Sequence, residues 1–399
     1  MTFYSDNTEL CMYIVFLAVW CIALCFAVSY ASLYLRFRKV QQADSTNNAL
    51  SSSANSVRPL SVVITAHNQA DALRRNLPMF LEQDYDDYEV IVVNAASTDH
   101  TEEVLKELEL RYPALHHTFV PQSARYISAK RLALTLGIRA ARYENVVISE
   151  ADCCPCSTQW LARLAQCLSQ SEHKQIVVGY ANYARPRNMV ERKMVFYRLY
   201  HQMTTLAHGL HHAAHRAESG NWCYSKNLFL EGNGFAGHVN LLAGAEDLLV
   251  NRNSCALNTA VLIHPQATIR KEYPSYKHLW KQEQVFYAET CRHLKHTTLY
   301  QLKYTLRLWL PWVMLIIYVA TLFVGIQQHN YLSIGIASGL FFLYHLIKDL
   351  AFHRSARALG ERSFHCLLPL YELALPFWKM EISLLHRFKS KREFRKKNY

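Results

Sequence analysis

Between residues 61 and 149, short runs of consecutive apolar residues alternate with stretches whose apolar residues recur every three or four positions. The runs 61–65 (SVVIT), 88–93 (YEVIVV), 117–120 (HTFV) and 145–149 (NVVIS) read as strands. Residues 71–83, 99–111 and 127–142 carry the helical period. Strands that are apolar on successive residues are covered on both faces, so the alternation predicts an α/β, Rossmann-like domain with a mostly parallel sheet. Ligands of such sheets gather at the carboxyl ends of the strands, where Asn68, Ser97 and Asp152 fall.

Three stretches break the pattern. Residues 10–34, 308–326 and 331–347 carry no charged side chain, and each is near or above the length that crosses a bilayer. The first reads as a retained anchor rather than a cleaved signal, because acidic Asp6 and Glu9 precede it and its apolar core is too long for a signal. RFRK follows at 36–39, the loop QQHN between the other two stretches is uncharged, and KDLAFHRSARALGER and RFKSKREFRKK come after them. By the positive-inside rule these flanks face the cytoplasm. The expected order is an N-terminal anchor over 1–37 and a Ser/Asn-rich flexible linker over 38–58, then an α/β domain over 59–304. A two-helix transmembrane hairpin over 305–349 and a segment over 350–399 complete it. Within that last part, residues 363–386 read as an interfacial amphipathic segment rather than another span, since Pro369, Pro376, Glu372, Lys379 and Glu381 interrupt it. The expectation is a multi-pass inner-membrane protein with its folded domain in the cytoplasm.

Charge adds little to this. The chain has 399 residues and a net charge of +12, much of it beside the apolar stretches and in the tail. Each Lys or Arg there gains about 1 kcal/mol near an anionic leaflet. No nucleic-acid recognition motif accompanies the charge, so membrane lipids and not nucleic acid are its expected partners. Eleven cysteines facing a reducing compartment are expected to be free thiols. Cys153, Cys154 and Cys156 are too tightly spaced for zinc and lack a second CxxC, which makes them structural. His208, His211, His212 and His215 recur at helical spacing and read as a polar helix face, lining an acceptor cleft, rather than a metal site.

The chemistry centres on VVISEADCCP, residues 146–155. Glu150 and Asp152 lie one residue apart at a strand end, where alternation points both to one side. Two carboxylates held together out of water repel unless a cation lies between them, and an oxygen pair suits Mg²⁺ or Mn²⁺. A solvated turn with ordinary surface acids remains open on these residues alone.

Taken with SVVITAHN (61–68), EVIVVNAASTDHT (89–101) and GAEDL (244–248), in that order, the stretch resembles the motifs of family 2 glycosyltransferases of the GT-A fold. SAKRLALTLGIRAA (128–141) is similar to the helix ahead of that family's Asp-x-Asp, and GNWCYSKNLFLEGNGF (220–235) to its acceptor-side segment. The resemblance implies that Glu150 and Asp152 hold a divalent metal on the diphosphate of a nucleotide-sugar donor. It places Ala66, His67, Asn68, Asn94, Ser97 and Asp99 around the nucleotide, with Lys130 near a phosphate. Glu246 and Asp247 would form the acceptor-side pair. Asp247 would be the general base in an inverting displacement onto a hydroxyl of a lipid-linked or cell-surface glycan.

Two departures accompany it. The second loop usually reads Asp-Asp-Gly-Ser, and here it is Asn94-Ala95-Ala96-Ser97. HLWKQEQVF (278–286) keeps Trp280 and the donor-side Gln282 of a Trp…Gln-x-x-Arg-Trp segment but has Val285 and Phe286 in place of Arg and Trp. These departures support a second reading, a catalytically degenerate relative that serves as scaffold or partner for glycan-assembly proteins.

Overall fold

The computed structural model describes residues 58–121, 128–210, 212–217, 220–236, 241, 243–362, 364 and 367–389, and part of 14–37. These fall into two compact units, one of residues 43–298 with 380–399 and one of residues 1–42 with 299–379.

The first unit is built on a seven-stranded sheet. Its strands are β1 (Leu60–Ala66), β2 (Tyr88–Asn94), β3 (Leu115–Phe119), β4 (Asn145–Glu150), β6 (Ile176–Val178), β8 (Trp222–Ser225) and β9 (Thr259–Val261). They run in the order β3-β2-β1-β4-β8-β6-β9. The pairs among β1 to β4 are parallel, β8 lies antiparallel to both β4 and β6, and β6 is parallel to β9. β5 (Cys153–Pro155), β10 (Ile269–Lys271) and β7 (Ala181–Tyr183) make a second, three-stranded sheet in the order β5-β10-β7.

Helices α1 (Ala70–Leu81), α2 (Thr101–Arg111) and α3 (Ala129–Ala140) follow β1, β2 and β3. Then come α4 (Trp160–Ser169), α5 (Met189–Gly209), α6 (Lys226–Glu231), α7 (Ala245–Asn253) and α8 (Lys277–Cys291). All seven residues of β1 are buried, as expected of a central strand covered on both faces. Leu73, Leu77 and Phe80 of α1 join Val62, Ile64, Val90, Val92 and Trp160 in one core. Phe80 and Trp160 meet edge to face at 5.4 Å, an arrangement that adds about 0.5–1.5 kcal/mol to area burial.

The expected α/β class and its elements between 60 and 150 are present. β3 begins two residues earlier than its apolar run, because Leu115 pairs with Val90 on β2 and its edge position tolerates the polar HHT. The three-residue strands β5, β6, β7, β9 and β10 were not expected; they are too short to show a period. The segment 220–235 supplies β8, whose Trp222, Cys223 and Tyr224 are core residues.

The second unit contains α9 (Thr298–Gln327), α10 (Tyr331–Ala358) and the first half of α11 (Leu368–Phe388). Among the described residues, α9 and α10 are the helices long and apolar enough to cross a membrane. Trp20, Ala27, Met314 and Tyr344 form a small core. Lys348 and Glu372 are both buried and pair at 2.7 Å, the arrangement under which charges are tolerated in such surroundings. Of the expected first span, the described residues are helical. The rest of 10–34, the linker 38–57 and the tail 390–399 lie outside the described residues.

One contact sets where α3, and with it Lys130, lies on the sheet. A Cβ on Gly137 would fall 2.3 Å from Val63 Cγ1 and 3.0 Å from Val93 Cγ2. Alanine at an ordinary helix position gains about 1 kcal/mol over glycine. Gly137→Ala is expected to do the opposite, lowering stability by about 1–3 kcal/mol as the helix is forced off β1 and β2. Denaturant unfolding of the variant checks this, and a gain in stability would contradict it.

Candidate active site

Strand pairing brings the acids together. Glu150 is the last residue of β4, in register with Thr65 of β1. Asp152 lies beyond the strand end, in the turn between β4 and β5. Its convergence with Glu150 therefore comes from that turn rather than from strand alternation alone. Buried Asn76 of α1 donates to the Ala151 carbonyl at 3.0 Å, and Glu272 N donates to the Asp152 carbonyl at 2.8 Å. Ligand atoms of Glu150, Asp152 and Cys153 all lie within 4.8 Å of one another, close enough to share a metal ion. Two carboxylates are a fit donor pair for a hard divalent cation. Gly220, at φ 97°, makes room for Cys153; a Cβ there would sit 2.6 Å from its Sγ.

A cavity of about 410 Å³ joins Glu150 to the second acid pair. Gly244 adopts φ 78° and turns the chain into α7, where a Cβ would meet Thr290 Oγ1 of α8 at 2.2 Å. Glu246 and Asp247 follow in the first turn of α7 and are both buried. The helix dipole favours acids there, and both also have cationic partners. Lys130 Nζ lies 2.6 Å from Glu150 Oε1 and 2.7 Å from Glu246 Oε1. Arg216 Nε is 3.3 Å from Asp247 Oδ2, and its guanidinium stacks 3.6 Å from the centre of the Tyr287 ring. Lys271 Nζ is 2.7 Å from Glu150 Oε2, 3.6 Å from Asp152 Oδ2 and 3.9 Å from Glu283 Oε1.

These neighbours set the two metal-side acids apart. Burial pushes the Glu150 carboxyl up, but Lys130 and Lys271 outweigh it and hold the group well below the usual carboxylate range. Burial dominates at Asp152 and raises it; Lys271 opposes this and the Glu150 charge adds to it.

A second cavity, of about 710 Å³, takes in Asn68, Asp99, Asp152 and Glu272. Two loops meet at its edge, each with a residue in the left-handed region, Asn68 at φ 53° and Ala96 at φ 56°. Asn68 N donates to Ser97 Oγ at 2.9 Å, and Thr98 N donates to Asn68 Oδ1 at 2.7 Å.

The expected residues thus divide. Lys130, Glu150, Glu246, Asp247 and Gln282 line the first cavity, and Asn68, Asp99 and Asp152 the second. Ala66 is buried and accepts from Ala95 N at 2.8 Å. His67 is exposed, with Nδ1 2.7 Å from the Ala95 carbonyl. Asn94 holds Ser97 N and Glu102, while Asp99 accepts from Ala70 N and Thr101. These last contacts tie loop to loop.

Val285 is buried and Trp280 packs against Tyr197. The described histidines do not form the expected helix face, because α5 ends at Gly209. His208 instead meets His212 and His215 across the turn that follows, at 4.8 and 5.0 Å between rings, and His211 lies outside the described residues. Lys271, Arg216 and Glu283 escaped sequence reading. Lys271 sits on a three-residue strand and Arg216 beyond a helix end, where no period marks them.

The layers and the parallel half-sheet, with one acid pair at the end of β4 and the other in the first turn of α7, define a GT-A-type α/β domain. Residues 61–231 match the family described as Glycosyl transferase family 2. A poly-β-1,6-N-acetyl-D-glucosamine synthase of Staphylococcus epidermidis is 28% identical over 96 residues, 24% of this chain; the chain thus spans 22% of the length of that relative. The mannosyltransferase PcManGT from Pyrobaculum calidifontis, in complex with GDP-Man and Mn²⁺, superposes with a TM-score of 0.49 at 20% identity, over 86% of this chain and 98% of its own. TarS 1–349 of S. aureus with UDP-GlcNAc gives 0.41 at 12% identity, over 81% and 92%.

Ala96 stands where the family's loop usually has glycine. A non-glycine residue in the left-handed region carries a strain of about 1–2 kcal/mol. Ala96→Gly is expected to raise the thermal midpoint of the domain; an unchanged or lower midpoint would show that the loop is unstrained.

Proposed function

We propose that this chain is a membrane-anchored, inverting glycosyltransferase that moves a sugar from a nucleotide-sugar to a hydroxyl of a lipid-linked or cell-surface glycan. The observation that carries the reading is the single cavity shared by Glu150 on one side and Asp247 on the other, spanned by Lys130. The second cavity, entered past Asn68 and Asp99 and reaching Asp152, suits the nucleoside, with the diphosphate against Glu150 and Asp152. A divalent ion held by these two acids would neutralise charge on the leaving diphosphate.

The chain's own groups do the rest. Asp247 takes the acceptor's proton as the hydroxyl attacks the anomeric carbon, a role that needs hydrogen-bond reach and an ionised carboxylate. Arg216, 3.3 Å away, orients that carboxylate. Lys130 keeps the two acid pairs at a fixed separation and lies within reach of a donor phosphate. One displacement inverts the configuration at the anomeric carbon.

The degenerate-relative reading rested on Ala95 and Val285. Val285 is buried in the packing of α8, and Arg216 supplies a guanidinium to the cavity from another element. The apolar helices α9 and α10 support a membrane setting, and the basic flanks support a cytoplasmic domain with access to nucleotide-sugars.

Purified full-length chain, given a panel of nucleotide-sugars and membrane-lipid acceptors, is expected to release nucleotide with Mn²⁺ or Mg²⁺ and to stop on chelation. Asp247→Asn should lower turnover by about 10²–10⁴ with its melting profile intact, and Asp152→Asn should abolish metal-stimulated release. Turnover retained in Asp247→Asn would overturn the base assignment, and retention of the anomeric configuration would overturn the single displacement.

A further inference from the structure

Lys271 is not a loose surface lysine. β10 holds it in antiparallel register with Cys153 and in parallel register with Tyr183, so its backbone is pinned opposite the acid turn. Its side chain is only 13% exposed. The ammonium touches three carboxylates from three places: Glu150 at the end of β4, Asp152 in the turn and Glu283 on α8. It therefore lies where a cation bridging Glu150 and Asp152 would lie. Lys130 is placed differently, since it takes the other oxygen of Glu150 and leans toward Glu246, on the far side of the cavity.

An ammonium and a divalent ion repel each other at contact distance, so the two do not share the space between Glu150 and Asp152. A lysine has a four-carbon stem, and its charge can move by ångströms while the backbone stays fixed. Glu283 is the one of the three partners outside the Glu150–Asp152 pair, and it stands ready 3.9 Å away.

We propose that Lys271 is the resident occupant of the cation seat between Glu150 and Asp152, and that a divalent ion binds by displacing its ammonium toward Glu283. This rests on the reading of those two acids as the metal pair and adds a positioning residue to it. Lys271 keeps the like-charged acids together when no ion is bound, and so sets how tightly an ion is held. Once displaced, its ammonium remains beside the position assigned to the diphosphate.

The test titrates Mn²⁺ alone into full-length protein in detergent, followed by calorimetry and by electron paramagnetic resonance of the free ion. Lys271→Gln is expected to bind Mn²⁺ at least tenfold more tightly than the wild type, and Lys271→Arg within about threefold of it. Glu283→Gln is expected to weaken binding severalfold in the wild-type background and to have no effect in Lys271→Gln, because the displaced ammonium it serves is gone. A readout on the unaltered chain guards against a variant that fails to fold. Mn²⁺ should increase reductive methylation of Lys271, read by mass spectrometry, and leave Lys130 unchanged.

Wild-type affinity in Lys271→Gln, an equal Glu283→Gln effect in both backgrounds, or methylation indifferent to Mn²⁺ would each overturn the displacement while leaving the metal pair standing. Absence of Mn²⁺ binding in both wild type and Lys271→Gln, with a nucleoside diphosphate still bound, would remove the metal pair and the proposal together.

Discussion

Everything at this site depends on the ammonium of Lys130 standing between Glu150 and Glu246. Four acids from two distant parts of the chain are brought to one region, three of them lining one cavity, and carboxylates at such range, largely shielded from water, repel strongly. The structure answers with three cations, Lys130, Lys271 and Arg216, each paired with at least one of them. Breaking one member of such a network leaves an uncompensated buried charge, which costs far more than the intact pair contributes. The arrangement therefore stays closed until something of matching charge replaces one of its members.

The scaffold explains how this network is held. Four parallel strands deliver Glu150 and the two loops to the same edge, and Gly137 lets α3 lie low enough for Lys130 to reach them. Gly244 does the equivalent for α7 by turning the chain into the helix against Thr290. The three-stranded sheet then joins the acid turn to Lys271 through backbone pairing. Backbone geometry does the placing, and the charged side chains complete it.

The first half of the fold was legible because its strands are long, β-branched and continuous. The second half was not, since three-residue strands such as Ile176–Val178 and Ile269–Lys271 carry no readable period. The acid pairs were visible as motifs. Their counter-charges were hidden, because Lys271 and Arg216 gain meaning only from long-range pairing, which spans 119 or more residues for Glu150 and Asp152 with Lys271. Loop residues expected to meet a nucleotide, among them Asn94 and Asp99, turned out to spend their hydrogen bonds on fixing the loops themselves. A motif reports which residues matter more readily than which atom faces the ligand.

The central claim is that Glu150 of the first acid pair faces the second pair, Glu246 and Asp247, across one cavity. Cryo-electron microscopy of the full chain with a nucleoside diphosphate and Mn²⁺ tests it most directly. The account predicts diphosphate density beside Glu150 and Asp152, with the nucleoside toward Asn68 and the terminal phosphate facing Asp247 across the cavity. Density that leaves these acids untouched, or that lies on the other side of the sheet from Asp247, would contradict it.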